Sequence, residues 1–125
     1  MNIKNKITII TGSSSGIGKA TAYLFASEGA KVVVNSKSNT KSGEKVIEKI
    51  KQDGGEAIYI QADVSDPKQA KNLIDQTVEK FGTVDILINN AGGYEGQDFL
   101  TATKESWLRI LNTNLFSTII CSQLA

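Results

Sequence analysis

Apolar residues gather into short, mostly β-branched runs, separated by longer stretches of helical periodicity. The runs are Ile7-Thr8-Ile9-Ile10, Val32-Val33-Val34, Ala57-Ile58-Tyr59-Ile60 and Ile86-Leu87-Ile88. None alternates cleanly between apolar and polar, which is the pattern of strands buried on both faces of a parallel sheet. Between the first two runs, Ile17, Ala20, Thr21, Leu24 and Phe25 fall on one helical face that ends at Glu28-Gly29. Val46, Ile47 and Ile50 mark a second helix closed by Asp53-Gly54-Gly55. Ala70, Leu73, Ile74, Thr77, Val78 and Phe81 mark a third. It opens at Ser65-Asp66-Pro67, where serine or aspartate caps and proline suits the first turn. A fourth begins near Glu105 and carries Trp107, Ile110, Leu111, Leu115 and Thr118 on one face. The order β-α-β-α-β-α-β-loop-α predicts an α/β layered fold with right-handed crossovers.

Composition narrows the chemistry. The chain has 125 residues, 40% of them hydrophobic and 22% charged, as expected of one folded domain. Fourteen basic side chains against 13 acidic ones leave a net charge of +1, with no block of like charge. Neither a nucleic-acid footprint nor a membrane-surface patch is expected. There is no histidine, which removes Ser-His-Asp and Cys-His nucleophile schemes and every His-ligated metal site. The single cysteine, Cys121, cannot form an internal disulfide, so a reducing compartment is expected. The apolar run near the N-terminus is too brief for a signal peptide, and no stretch approaches the roughly 20 apolar residues of a membrane span. The expectation is a soluble, cytoplasmic protein.

Candidate chemistry sits at the strand ends. After the first strand comes Thr11-Gly12-Ser13-Ser14-Ser15-Gly16-Ile17-Gly18, running straight into the first helix. Glycines permit a sharp turn and close ligand approach, and the helix behind them offers free N–H groups to a pyrophosphate. The spacing is G-x-x-x-G-x-G, not G-x-G-x-x-G. It is not a Walker A loop either, because no serine or threonine follows Lys19. A plainer reading has the glycines forming a tight strand–helix connection. Asp63-Val64 follows the third strand and Asn89-Asn90-Ala91-Gly92 the fourth, where open α/β sheets bind their ligands.

These segments, together with Asn112-Thr113-Asn114-Leu115, resemble the short-chain dehydrogenase/reductase family over nearly the whole chain. The resemblance implies a Rossmann-type doubly wound sheet, incomplete, with strand order 3-2-1-4, so that residues 1–125 form the N-terminal part of a longer NAD(P)-binding domain. It implies that Gly12, Ser14, Ser15, Gly16, Ile17 and Gly18 cradle the cofactor phosphates. Asp63 and Val64 would face the adenine, and Asn90, Ala91 and Gly92 would line the adenosine–ribose side. Ser36 and Lys37, past the second strand, stand where the ribose is read. No carboxylate is present there for a 2′-hydroxyl, and a lysine suits a 2′-phosphate, which favours NADP(H) over NAD(H) unless Lys37 is an ordinary solvated lysine.

Asn114 falls between Leu111 and Leu115, where its amide must find hydrogen-bond partners. The resemblance makes it the catalytic asparagine, although a packed amide satisfied by backbone would look the same. The implied activity is hydride transfer between a nicotinamide and a carbonyl or alcohol, such as a 3-oxoacyl thioester or a sugar. The serine and Tyr-x-x-x-Lys that the resemblance requires do not occur. Tyr23, Tyr59 and Tyr94 are followed four residues on by Ser27, Asp63 and Asp98. The expectation is therefore a fragment inactive alone, with an apolar fourth-strand edge that favours association. Homo-oligomers through the last helix are expected in the longer protein. The alternatives are a stand-alone dinucleotide-binding module without turnover and, more weakly, an α/β interaction domain with no ligand.

Overall fold

In the computed structural model, which describes residues 2–125, the four apolar runs become four parallel strands in the order β3-β2-β1-β4. They are β1 (Ile7–Ile10), β2 (Lys31–Ser36), β3 (Glu56–Gln61) and β4 (Ile86–Ile88). Three crossover helices join them: α1 (Gly16–Ser27), α2 (Thr40–Gln52) and α3 (Pro67–Phe81). Register pairs Ile9 with Val33 and Leu87, and Ile10 with Val34 and Ile88. Successive strand residues face opposite ways, so each run feeds two cores. Ile10, Val32, Val34 and Ala57 pack with Ala22, Ala26, Val46 and Ile50 on one side. Ile9, Val33, Ile60, Leu73, Ile74 and Cys121 form the other. Burial on both faces is why the runs do not alternate.

Capping follows the sequence at α3, where the Asp66 carboxylate accepts from the Lys68 N–H at 2.9 Å and Pro67 occupies the first turn. Two helix faces differ from expectation. On α1, Ile17 and Leu24 are 80% and 59% exposed, while Gly18, Ala22 and Ala26 are buried. The small side chains let the helix lie close to the sheet, and shape overrides hydrophobicity. The fourth helix is not continuous: α4 (Lys104–Leu111) passes through a π-helical turn, Asn112–Phe116, into α5 (Ser117–Leu124). Ser106, Ser117 and Cys121 are its buried positions, whereas Trp107, Leu111 and Leu115 are exposed. The π turn inserts a residue and shifts the phase of the face that packs.

One core position is mismatched. Thr8 is fully buried in β1, and among the described residues its hydroxyl finds no hydrogen-bond partner. Thr8→Val should raise stability by about 1 kcal/mol, because an unpaired buried hydroxyl is replaced by a methyl of the same shape. The urea midpoint would rise with an unchanged slope. A lowered midpoint would mean that the hydroxyl is bonded after all.

Candidate functional site

The carboxyl ends of β1, β2 and β3 open on a cleft of about 300 Å³. Gly12, Ser14 and Ser15 line its floor with Asn35, Ser36, Lys37, Ala62, Asp63, Val64, Ala91 and Gly92. Gly12 has φ +62°, and a Cβ there would lie 2.9 Å from the Ala91 Cα, so the turn reaches this shape only with glycine. Ser15 precedes α1 in extended conformation and makes no side-chain cap. The N–H groups of Gly16, Ile17 and Gly18 therefore begin the helix without a capping side chain, as an anion site requires. Gly16 and Ile17 are exposed beside the cleft, and Gly18 is buried behind it.

Polar side chains missing from the expected site residues hold the turn in place. The Asn35 amide is 1% exposed. It donates to the Ile60 and Ala62 carbonyls at 3.1 Å each and accepts from the Gly12 N–H at 3.3 Å. The Ser13 hydroxyl donates to the Ile10 carbonyl at 2.6 Å and accepts from the Asn35 N–H at 3.0 Å. The Thr11 hydroxyl accepts the N–H groups of Asn90 and Ala91 at 3.1 and 2.9 Å. A polar residue ending an apolar strand was the available signal, since a buried amide must be paired. Asn90 turns its amide into the glycine turn, donating to the Thr11 and Gly12 carbonyls at 3.0 and 3.1 Å, while Ala91 and Gly92 line the cleft.

At the rim, the Lys37 ammonium sits 2.9 Å from an Asp63 carboxylate oxygen. Asp63 also accepts from the Ser65 N–H and hydroxyl at 3.0 and 2.6 Å. Burial pushes its pKa up, but Ser65 and Lys37 together hold it below the usual carboxylate value. The Ser36 hydroxyl is bonded to the Tyr59 hydroxyl at 2.8 Å. Val64 is buried against the α3 core.

Asn114 lies in the π turn and is exposed, not on a packed apolar face. Its amide clasps Gly93, donating to the carbonyl at 2.8 Å and accepting the N–H at 3.2 Å, and donates to the Ile110 carbonyl at 2.8 Å. The loop it holds is tied to α4 by a bidentate Arg109–Glu95 pair at 2.8 and 2.9 Å. Among the described residues, no group of three or more His, Cys, Asp or Glu side chains is placed to hold a metal. No helix there is long and apolar enough to cross a membrane.

A parallel sheet of order 3-2-1-4 with a glycine turn and an uncapped helix at its carboxyl edge defines a doubly wound, Rossmann-like α/β protein. The chain belongs to the short chain dehydrogenase family, whose model matches residues 6–125. It is 40% identical over 123 residues to an uncharacterised oxidoreductase of Methylorubrum extorquens, covering 98% of this chain and 50% of that protein. It is 37% identical to the 3-oxoacyl-[acyl-carrier-protein] reductase of Synechocystis over 118 residues, 94% of this chain and 48% of the relative. A short chain dehydrogenase from Burkholderia cenocepacia, solved in complex with NADP, superposes with a TM-score of 0.94 at 35% identity. That match covers 100% of this chain and 51% of the other. The chain thus spans about half the length of the relatives it matches.

Proposed function

We infer that this chain supplies the dinucleotide-binding half of an NAD(P)-dependent oxidoreductase, with NADP(H) preferred. The observation that carries the reading is the cleft itself: a turn that admits no Cβ at Gly12, an uncapped helix start beside it and Lys37 on the rim. The complex of the Burkholderia relative with NADP supports the ligand class.

In this reading Gly12, Ser14, Ser15, Gly16, Ile17 and Gly18 cradle the pyrophosphate. Gly12, whose N–H is held by Asn35, and the buried Gly18 shape the turn. Ser14, Ser15, Gly16 and Ile17 offer their amides, and the α1 dipole stabilises the charge. Asp63 and Val64 bound the adenine. Ser36 and Lys37 meet the ribose, with the lysine as the group able to accept a 2′-phosphate. Ala91 and Gly92 line the adenosine–ribose side of the cleft, and Asn90 supports that wall by fixing the glycine turn. Asn114 holds Gly93, and through it the loop on the substrate side. The bound nicotinamide supplies hydride exchange with a carbonyl or alcohol carbon. Turnover also needs a general acid/base, which the family resemblance assigns to a Tyr-x-x-x-Lys absent from these 125 residues. The exposed face of Trp107, Leu111, Leu115 and Ile119 supports self-association through the α4–α5 region.

The test is calorimetric titration of the protein made from its complete coding sequence. Lys37→Ala should weaken NADP+ binding several-fold and leave NAD+ within about twofold, because the one cation among the described residues of the cleft that can meet a 2′-phosphate is lost. An equal effect on both would remove the NADP preference. Failure of the unaltered protein to bind either dinucleotide would overturn the reading.

A further inference from the structure

Two strands that are neighbours in the sheet, β2 and β3, end at the cleft, and the Lys37–Asp63 pair joins the loops that follow them. The two partners are not equally fixed. The Asp63 side chain is 22% exposed, with its other oxygen held by the Ser65 N–H and hydroxyl. The backbone N–H of Asp63 donates to the Gln69 side chain at 2.9 Å. Lys37 is anchored only at its carbonyl, which accepts from the Gln61 amide at 3.0 Å, while its side chain is 73% exposed. The carboxylate is therefore the stationary member and the ammonium the mobile one. Among the described residues lining the cleft, Lys37 is the one cation and Asp63 the one anion. The Ser36 hydroxyl beside them is already engaged by Tyr59.

We propose that Asp63 is a positioning residue for cofactor selectivity: by holding the Lys37 ammonium, it sets how strongly the site prefers a 2′-phosphate to a 2′-hydroxyl. The proposal rests on the dinucleotide reading given above and deepens it. A lysine already neutralised at 2.9 Å must exchange one anion for another when a 2′-phosphate arrives. The gain is the difference between two charge-assisted contacts, not the whole of one. A ribose bearing a 2′-hydroxyl leaves the pair undisturbed and loses nothing. The preference for NADP(H) is consequently narrow, and it widens when the competing carboxylate is removed.

The experiment is a double-mutant cycle on the complete protein, read as the ratio of NADP+ to NAD+ affinity by calorimetry. Asp63→Asn should raise that ratio roughly two- to fivefold, the range of an exposed ion pair. Asp63→Ser, with a smaller neutral side chain, should move it the same way. Asp63→Glu, which keeps the charge, should restore the unaltered ratio. In a Lys37→Met background none of these should change the ratio, because a contact of Asp63 with the adenine is common to both ligands and moves both affinities together. An unchanged ratio in Asp63→Asn, or the same change with and without Lys37, would overturn the inference while leaving dinucleotide binding intact. Loss of both ligands by the unaltered protein would instead overturn the parent reading, and this one with it.

Discussion

Replacing Gly18 with alanine is expected to destabilise the fold by about 2–3 kcal/mol and to weaken dinucleotide binding by at least roughly tenfold. Gly18 is buried in the first turn of α1, where the helix crosses the end of β1. A Cβ there would stand 2.7 Å from the Gly12 carbonyl oxygen and 2.9 Å from the Ser13 Cα, and would collide with the Asn90 amide. Two of those neighbours are backbone and cannot swing aside. The third is held, because the Asn90 amide donates to the Thr11 and Gly12 carbonyls. Relief must come from α1 lifting off the sheet or from Asn90 leaving its partners, and either deforms the glycine turn. Stability and ligand affinity should therefore fall together, measured as a denaturant midpoint and as a titration with NADPH. An unchanged midpoint with lost binding would mean that the turn yields locally, and that the packing argument fails.

The architecture was legible because two-sided burial leaves a mark in sequence. Runs such as Val32-Val33-Val34 make sense only where both faces of a strand are covered, and such strands belong to parallel sheets. Asp66-Pro67 announced the start of α3 through chemistry confined to one turn. The misjudged faces share a cause. Apolar spacing selected Ile17 and Leu24 on α1, and Trp107, Leu111 and Leu115 beyond β4, yet close approach selected Gly18, Ala22, Ser117 and Cys121. Periodicity measures hydrophobicity and is blind to how near two backbones must come. The site divides in the same way. Its glycine turn was visible as a local motif, whereas the Lys37–Asp63 pair joins residues on separate loops and has no local signature. Asn35 carries a fainter mark: an amide in a buried strand end cannot be left unpaired, but its partners at the ends of β1 and β3 are distant in sequence.

Asn35→Asp supplies the sharpest test of that last point, since it changes one NH2 group into an oxygen and almost nothing in shape. The amide nitrogen donates to two carbonyls, Ile60 and Ala62, in a place 1% exposed. A carboxylate there would face two oxygens with no proton between them. Only its protonated form restores one of the two bonds. The folded state must therefore hold the new carboxyl group's pKa above its unfolded value, through burial and the facing carbonyls. The sign follows from linkage: a group with a raised folded pKa binds more protons folded than unfolded, so its contribution falls as pH rises. The penalty against the parent protein should be smallest below the unfolded carboxyl value, near pH 4, and grow by up to about 1.4 kcal/mol per pH unit above it. At neutral pH it should reach about 3 kcal/mol or more. The native carboxylates run the other way. Asp63, Asp66 and Asp85 all have lowered values, so what they contribute is present above the unfolded value and lost as pH falls through the folded one. Taking the difference between variant and parent at each pH cancels them and isolates position 35. A penalty that does not vary with pH would show that Asn35 acts through packing, and that the two carbonyls at the end of β3 do not depend on its amide protons.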